Sequence, residues 1–159
     1  MPGYKNTTPA NGEIFSGILW GTEWDAGSLT YSLQVTEGDY GYAFPDLDLF
    51  DGFSEFNSAQ RAAVKFALEQ QDGNSANNGF SVEGFTNLSF SENTSGNGDL
   101  RFASSSSQDF VQPGGGTILG LGFAPGSRSG LEMEGDSWYY APAVTTNGGR
   151  QSWPLGYLA

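Results

Sequence analysis

From residue 28 to 35 apolar and polar side chains alternate. Leu29, Tyr31, Leu33 and Val35 fall on one side, Thr30, Ser32 and Gln34 on the other. That is the period-2 pattern of a strand with one buried face. Shorter extended runs follow at residues 85–90, at 99–103 (where Leu100 and Phe102 share a face), at 117–124 and at 135–140. Ahead of the first run, Ile18-Leu19-Trp20-Gly21 reads as a short packing or edge segment, with Trp20 and Trp24 as structural aromatics.

Between the first and second runs lies the one strong helix signal. Asn57 is placed to cap, and Gln60 stands three residues on, as in a capping box. Ala59, Ala62, Ala63, Phe66, Ala67 and Gln70 follow at helical spacing. This pattern predicts a helix whose small apolar face lies close to a sheet with Phe66 as its large knob. It predicts Arg61, Lys65 and Glu69 facing water, and Gly73 ending the element. Strand, helix, then four strands is an α+β order: a mixed, twisted sheet of about five strands covered by one main helix, with at least one parallel β-α-β pair. Residues 104–116 read as a loop, and 142–159 as an irregular tail.

Composition narrows the chemistry. The chain has 159 residues, room for one domain, and its 24 glycines and 7 prolines suit short strands better than long helices. Eighteen acidic against six basic residues give a net charge of -12. The six cations are scattered, so nucleic acid and anionic membrane are disfavoured as partners. Neither cysteine nor histidine is present, which excludes disulfides, thiolate metal sites, and every mechanism that needs an imidazole base or ligand within this chain. No apolar stretch is long enough for a membrane span, and residues 1–12 carry no basic and apolar leader. Residues 1–14 are expected to be a flexible N-terminal segment.

Carboxylates are the remaining candidates. Asp46, Asp48 and Asp51 are spaced like part of a calcium loop, without its following glutamate or turn glycine in register. Glu132 and Glu134 would share a face if extended, the paired acids a glycosidase needs, or they are two solvated residues of an acidic loop. Gly120 and Gly122 leave one face of their strand without side chains, which suits close approach by another backbone, or marks a bulge or ordinary edge.

Five segments occur in a telling order: a Trp-bearing lead-in before Leu29-Thr30-Tyr31-Ser32; Phe56-Asn57-Ser58-Ala59-Gln60-Arg61-Ala62-Ala63; Phe85-Thr86-Asn87-Leu88-Ser89-Phe90-Ser91-Glu92; Gly98-Asp99-Leu100-Arg101-Phe102; and Gly135-Asp136-Ser137-Trp138. In this order and at these separations, residues 15–159 resemble the N-terminal half of the catalytic domain of serralysin-like zinc metalloproteases, in the metzincin group. In that family the next element is a helix bearing H-E-x-x-H-x-x-G-x-x-H, whose histidines hold zinc and whose glutamate is the general base. No such motif occurs here, and the stretch 152–159 looks like the approach to that helix.

The resemblance implies a partial catalytic domain, its upper subdomain, from a secreted bacterial metalloendopeptidase. Zinc belongs to the full-length parent only, and this chain alone is expected to be inactive. The strand at 117–124 would be the edge on which an extended peptide or protein substrate lies by β-augmentation. The binding groups would be the main chain of Ile118, Leu119, Gly120, Leu121 and Gly122. Asp136, a Gly-Asp before an aromatic strand, would either ligate a structural calcium or cap the strand entry. A sheet face left uncovered by the missing helix would favour self-association. The alternative is a self-contained acidic, aromatic-rich binding module for carbohydrate or extended peptide, with Trp20, Trp24, Trp138 and Trp153 as stacking platforms.

Overall fold

A computed structural model describes residues 2–6, 22–42, 47–70, 81–126 and 132–144. The expected architecture is present: an α+β fold in which a mixed five-stranded sheet is covered by one main helix. A short antiparallel pair, β1 (Tyr4–Asn6) with β2 (Thr22–Trp24), stands apart from that sheet. The main sheet begins with β3 (Ser28–Ser32), crosses through helix α1 (Ser58–Leu68) and the helical turn α2 (Val82–Phe85), and returns as β4 (Ser89–Glu92). It continues with β5 (Leu100–Ser105), β6 (Gly120–Gly122) and β7 (Ser137–Tyr140), which runs into a last helical turn, α3 (Ala141–Val144).

The sheet order is β4-β3-β5-β7-β6. Its first four strands are mutually parallel, and β6 alone runs antiparallel, on the outer side of β7. Alternation along the strands divides the interior into two cores. Tyr31, Phe102 and the partly buried Leu100 and Tyr139 meet Phe56 and α1 on one face. Ala103, Trp138, Leu121 and Tyr140 meet Tyr40, Leu49, Phe50, Phe53 and Phe110 on the other. Helices therefore cover one face, and the loop segments after β3 and β5 cover the other.

The 28–35 alternation holds as burial but not as one strand. Leu29, Tyr31, Leu33 and Val35 are all buried, yet the strand ends at Ser32. Leu33 then joins the α1 side and Val35 the opposite side, so the chain leaves the sheet plane while keeping its apolar residues inside. The second run shifts. Phe85 lies on α2 rather than in a strand and is 72% exposed. Ser81 caps that turn through Gly84 N, and the Thr86 hydroxyl donates to Val82 O, local side-chain bonds that compete with a ladder. The third run extends further than expected, since Ser104 and Ser105 pair with β7.

Helix α1 starts as predicted. Asn57 Oδ1 accepts from the amides of Ala59 and Gln60, and Gln60 Oε1 accepts from Asn57 N, a reciprocal cap that stabilises a helix start by about 1 kcal/mol. Its buried stripe, however, is Gln60, Val64 and Leu68, and Phe66 is 39% exposed. Val64 and Leu68 pack with Tyr31, Phe56 and Phe102, and theirs is the face that turns inward. Lys65 pairs with Glu92 and Arg61 with Glu55, so neither simply faces water. The predicted stop at Gly73 lies outside the described residues.

Candidate functional site

The feature that singles out one part of the sheet is the outer side of β6, which pairs with no further strand among the described residues. Tyr140 N donates to Leu119 O (3.0 Å) and Phe123 N to Asp136 O (3.0 Å), with Leu121 opposite Trp138 between them. In an antiparallel ladder the groups of every second residue point to the partner strand. Leu119, Leu121 and Phe123 therefore spend their main-chain groups on β7, and Gly120 and Gly122 present theirs outward. Ile118 N is also taken, donating to Phe110 O (2.7 Å). Of the five residues whose main chain was expected to bind a peptide, Gly120 and Gly122 are the two that face away from the sheet. Ile118 and Leu121 hold the strand down by packing on the Trp138 core.

The end of β6 is fixed by a buried ion pair. Arg101 rises from β5 between Leu100 and Phe102, on the face opposite theirs, and meets Asp136 two-pronged: Nε to Oδ1 at 2.8 Å and Nη2 to Oδ2 at 2.9 Å. The guanidinium also donates to Asp39 O and Glu132 O (2.5 Å each), and sits 4.6 Å from the centre of the Tyr40 ring. The Tyr42 hydroxyl donates to Asp136 Oδ2. Because the main chain of Asp136 accepts from Phe123, this cluster sets where β6 leaves β7. Gly135 makes the turn possible: its φ is +91°, and a Cβ there would stand 2.2 Å from Asp99 O, so no side chain fits.

For Asp136 the sequence leaves two roles, a calcium ligand or a strand-entry cap. Its side chain is 1% exposed, and both of its oxygens are engaged by Arg101 and Tyr42. Among the described residues no group of three His, Cys, Asp or Glu side chains is placed to hold a metal ion. Asp46 lies outside the described residues, and Asp48 and Asp51 are exposed on turns. Glu132 and Glu134 sit in a turn, not a strand, with Glu134 buried and Glu132 exposed, so the shared face that a glycosidase pair needs does not form. Trp138 is 0% exposed and cannot serve as a stacking platform for a sugar. Trp20 and Trp153 lie outside the described residues.

Burial pushes the Asp136 carboxyl up to about 6, although the Arg101 guanidinium and the Tyr42 hydroxyl pull it back down; nearby Glu132 adds to the rise. Burial, the largest single influence, would lower Arg101, but its bond to Asp136 and the charges of Asp136, Tyr42 and Tyr40 together hold it above its ordinary value. Burial, with the Asp136 charge, also raises Tyr40 and Tyr42. The sign for stability follows. A carboxyl that titrates near 6 when folded and near the usual 3.8 when unfolded binds its proton first in the native state. Its contribution is fully present below 3.8 and is lost as pH rises through 6. Lowering the pH from 7 to 5 is therefore expected to stabilise the fold through this group, by on the order of 1 kcal/mol. Urea midpoints at the two pH values check this; Asp136→Asn should remove this part of the difference, and an unchanged difference in that variant would assign it to other groups.

Arg101, Tyr42 and Tyr139 were not singled out by the sequence. The one signal for Arg101 was a lone cation inside an otherwise apolar strand, which a buried partner must neutralise. Compared with protein-family models and with curated proteins, the chain matches neither a family nor an individual protein.

Proposed function

We propose that this chain is the substrate-holding part of a secreted, serralysin-like zinc metalloendopeptidase catalytic domain, and that β6 takes an extended peptide as an added strand. One observation carries the reading. The single antiparallel strand of the sheet lies at its edge, and the main-chain groups of Gly120 and Gly122, residues with no side chain of their own, point off that edge. A mixed five-stranded sheet covered by one main helix is also the layout that the sequence resemblance implies.

The residues of this chain do not fit a catalytic zinc. Three protein ligands drawn from imidazole, thiolate and carboxylate are needed, and the sequence has no histidine and no cysteine. Hydrolysis in the parent would rest on residues outside these 159, and this chain would contribute binding and orientation of the peptide. Self-association through an uncovered sheet face is no part of this reading, because among the described residues helices cover one face of the sheet and loop segments the other.

The test uses the purified chain and a capped, extended peptide. Binding should perturb the amide resonances of Gly120 and Gly122 more than those of Leu119 and Leu121, and zinc should bring no cleavage of peptide or casein. Perturbation centred elsewhere, absence of binding, or cleavage by this chain alone would each overturn the reading. In the gene, an H-E-x-x-H-x-x-G-x-x-H coding stretch soon after the codon for Ala159 would support it independently.

A further inference from the structure

Gly120 lies opposite Tyr139 in the β6–β7 ladder, and the Tyr139 ring leans across it: a Cβ on Gly120 would stand 3.3 Å from Cδ1 and 3.4 Å from Cε1 of that ring. An aromatic laid over a cross-strand glycine shields the bare backbone and carries its own ring toward the outer edge. Behind, the same ring is held against Phe56, with centroids 5.5 Å apart. Gly122, two residues on, faces Ser137 instead, whose Oγ would be 3.7 Å from its Cβ. The α1-side face of β6 is thus asymmetric, with an aromatic wall behind one glycine and a small hydroxyl behind the other.

We infer that Tyr139 determines which side chain the bound peptide prefers opposite Gly120, favouring a large apolar residue there and a small or polar one opposite Gly122. The inference rests on the edge-strand reading above and deepens it. A residue paired with Gly120 puts its side chain on the same face as Tyr139. A ligand strand would normally lie roughly 10 Å from β7, two strand spacings away, too far for ordinary directly opposed contact. The ring leaning over a residue without a side chain bridges that gap. Tyr139 here is a specificity-determining residue with no part in the chemistry.

The experiment measures binding of capped, otherwise polar peptides that carry Phe or Ala at one central position, by fluorescence anisotropy. The wild-type chain should prefer the Phe peptide roughly fivefold. Tyr139→Phe should keep that preference, and Tyr139→Ala should reduce it below about twofold while still binding the Ala peptide. Because Tyr139→Ala could unfold the edge, the wild-type complex is also examined for nuclear Overhauser contacts between the Tyr139 ring and the ligand Phe ring. Binding of both peptides with equal affinity, an undiminished preference in a folded Tyr139→Ala variant, or contacts to another aromatic would overturn the inference and leave the edge-strand reading standing. Binding of neither peptide would overturn both.

Discussion

Replacing Asp136 with alanine is expected to cost about 3–5 kcal/mol of folding free energy, a fall in melting temperature on the order of 10 °C for a chain of this size. The cause is what the substitution leaves behind. Arg101 is 8% exposed at its side chain, and its guanidinium would remain in the interior with two carbonyl oxygens and a tyrosine face but without the two carboxyl oxygens that accept from its Nε and Nη2. Thermal melts of Asp136→Ala at pH 7 measure the effect directly. A loss below about 1 kcal/mol would mean that water reaches the guanidinium.

Removing both charges is expected to behave differently. The upward displacement of the Asp136 carboxyl says that burial outweighs the help it receives from Arg101 and Tyr42. A pair of that kind contributes little net stability, because desolvation of both ions offsets their attraction. Arg101→Met combined with Asp136→Leu should recover most of what Asp136→Ala loses, within about 2 kcal/mol of the wild type. The worth of the pair lies in position. It ties Asp39, Glu132 and the start of β7 to the start of β5, so the recovered double variant should show faster amide exchange around Phe123 and Gly135 even where its melting point is restored.

The strand and helix periods were legible because they depend on neighbours in the chain. Leu29 to Val35 announced itself by alternation, and Asn57 with Gln60 announced the start of α1 by a bond that spans three residues. What failed depended on distant partners. Phe66 looked like the inward knob of α1 by size alone, yet the sheet selects the Val64 and Leu68 face. Phe85 looked extended by its company, yet Ser81 and Thr86 close a turn around it. Gly120 and Gly122 left an edge as one of three readings of that strand, and the family resemblance selected it. The division of its main-chain groups between Gly120 and Leu121 needed the register with β7, which no single segment encodes. Arg101 and Asp136 are 35 residues apart, and nothing near Asp136 in the chain, a candidate calcium ligand or strand cap, points to the cation on β5.

Trp138→Ala is expected to be the most damaging single truncation, at about 3–5 kcal/mol, and to act on the peptide-holding edge before it acts on the rest of the sheet. The indole is fully buried, 4.9 Å from the Tyr40 ring and 5.2 Å from Phe50 centre to centre. It stands between Ala103 of β5 and Leu121 of β6 in adjoining registers. Ala103 leaves it room, and Leu121 depends on it: β6 is only three residues long, and its middle residue has this ring as its neighbour across the ladder. Removing the ring should let β6 detach while β3, β4 and β5 keep the α1-side core of Tyr31, Phe56 and Phe102. Hydrogen exchange by mass spectrometry should then show residues 118–123 losing protection at denaturant concentrations where residues 29–32 keep theirs, and peptide binding disappearing with the first group. Simultaneous loss across all strands would make the sheet one cooperative unit, and an unaltered β6 would mean that Ile118 and Phe123, not Trp138, hold the edge in place.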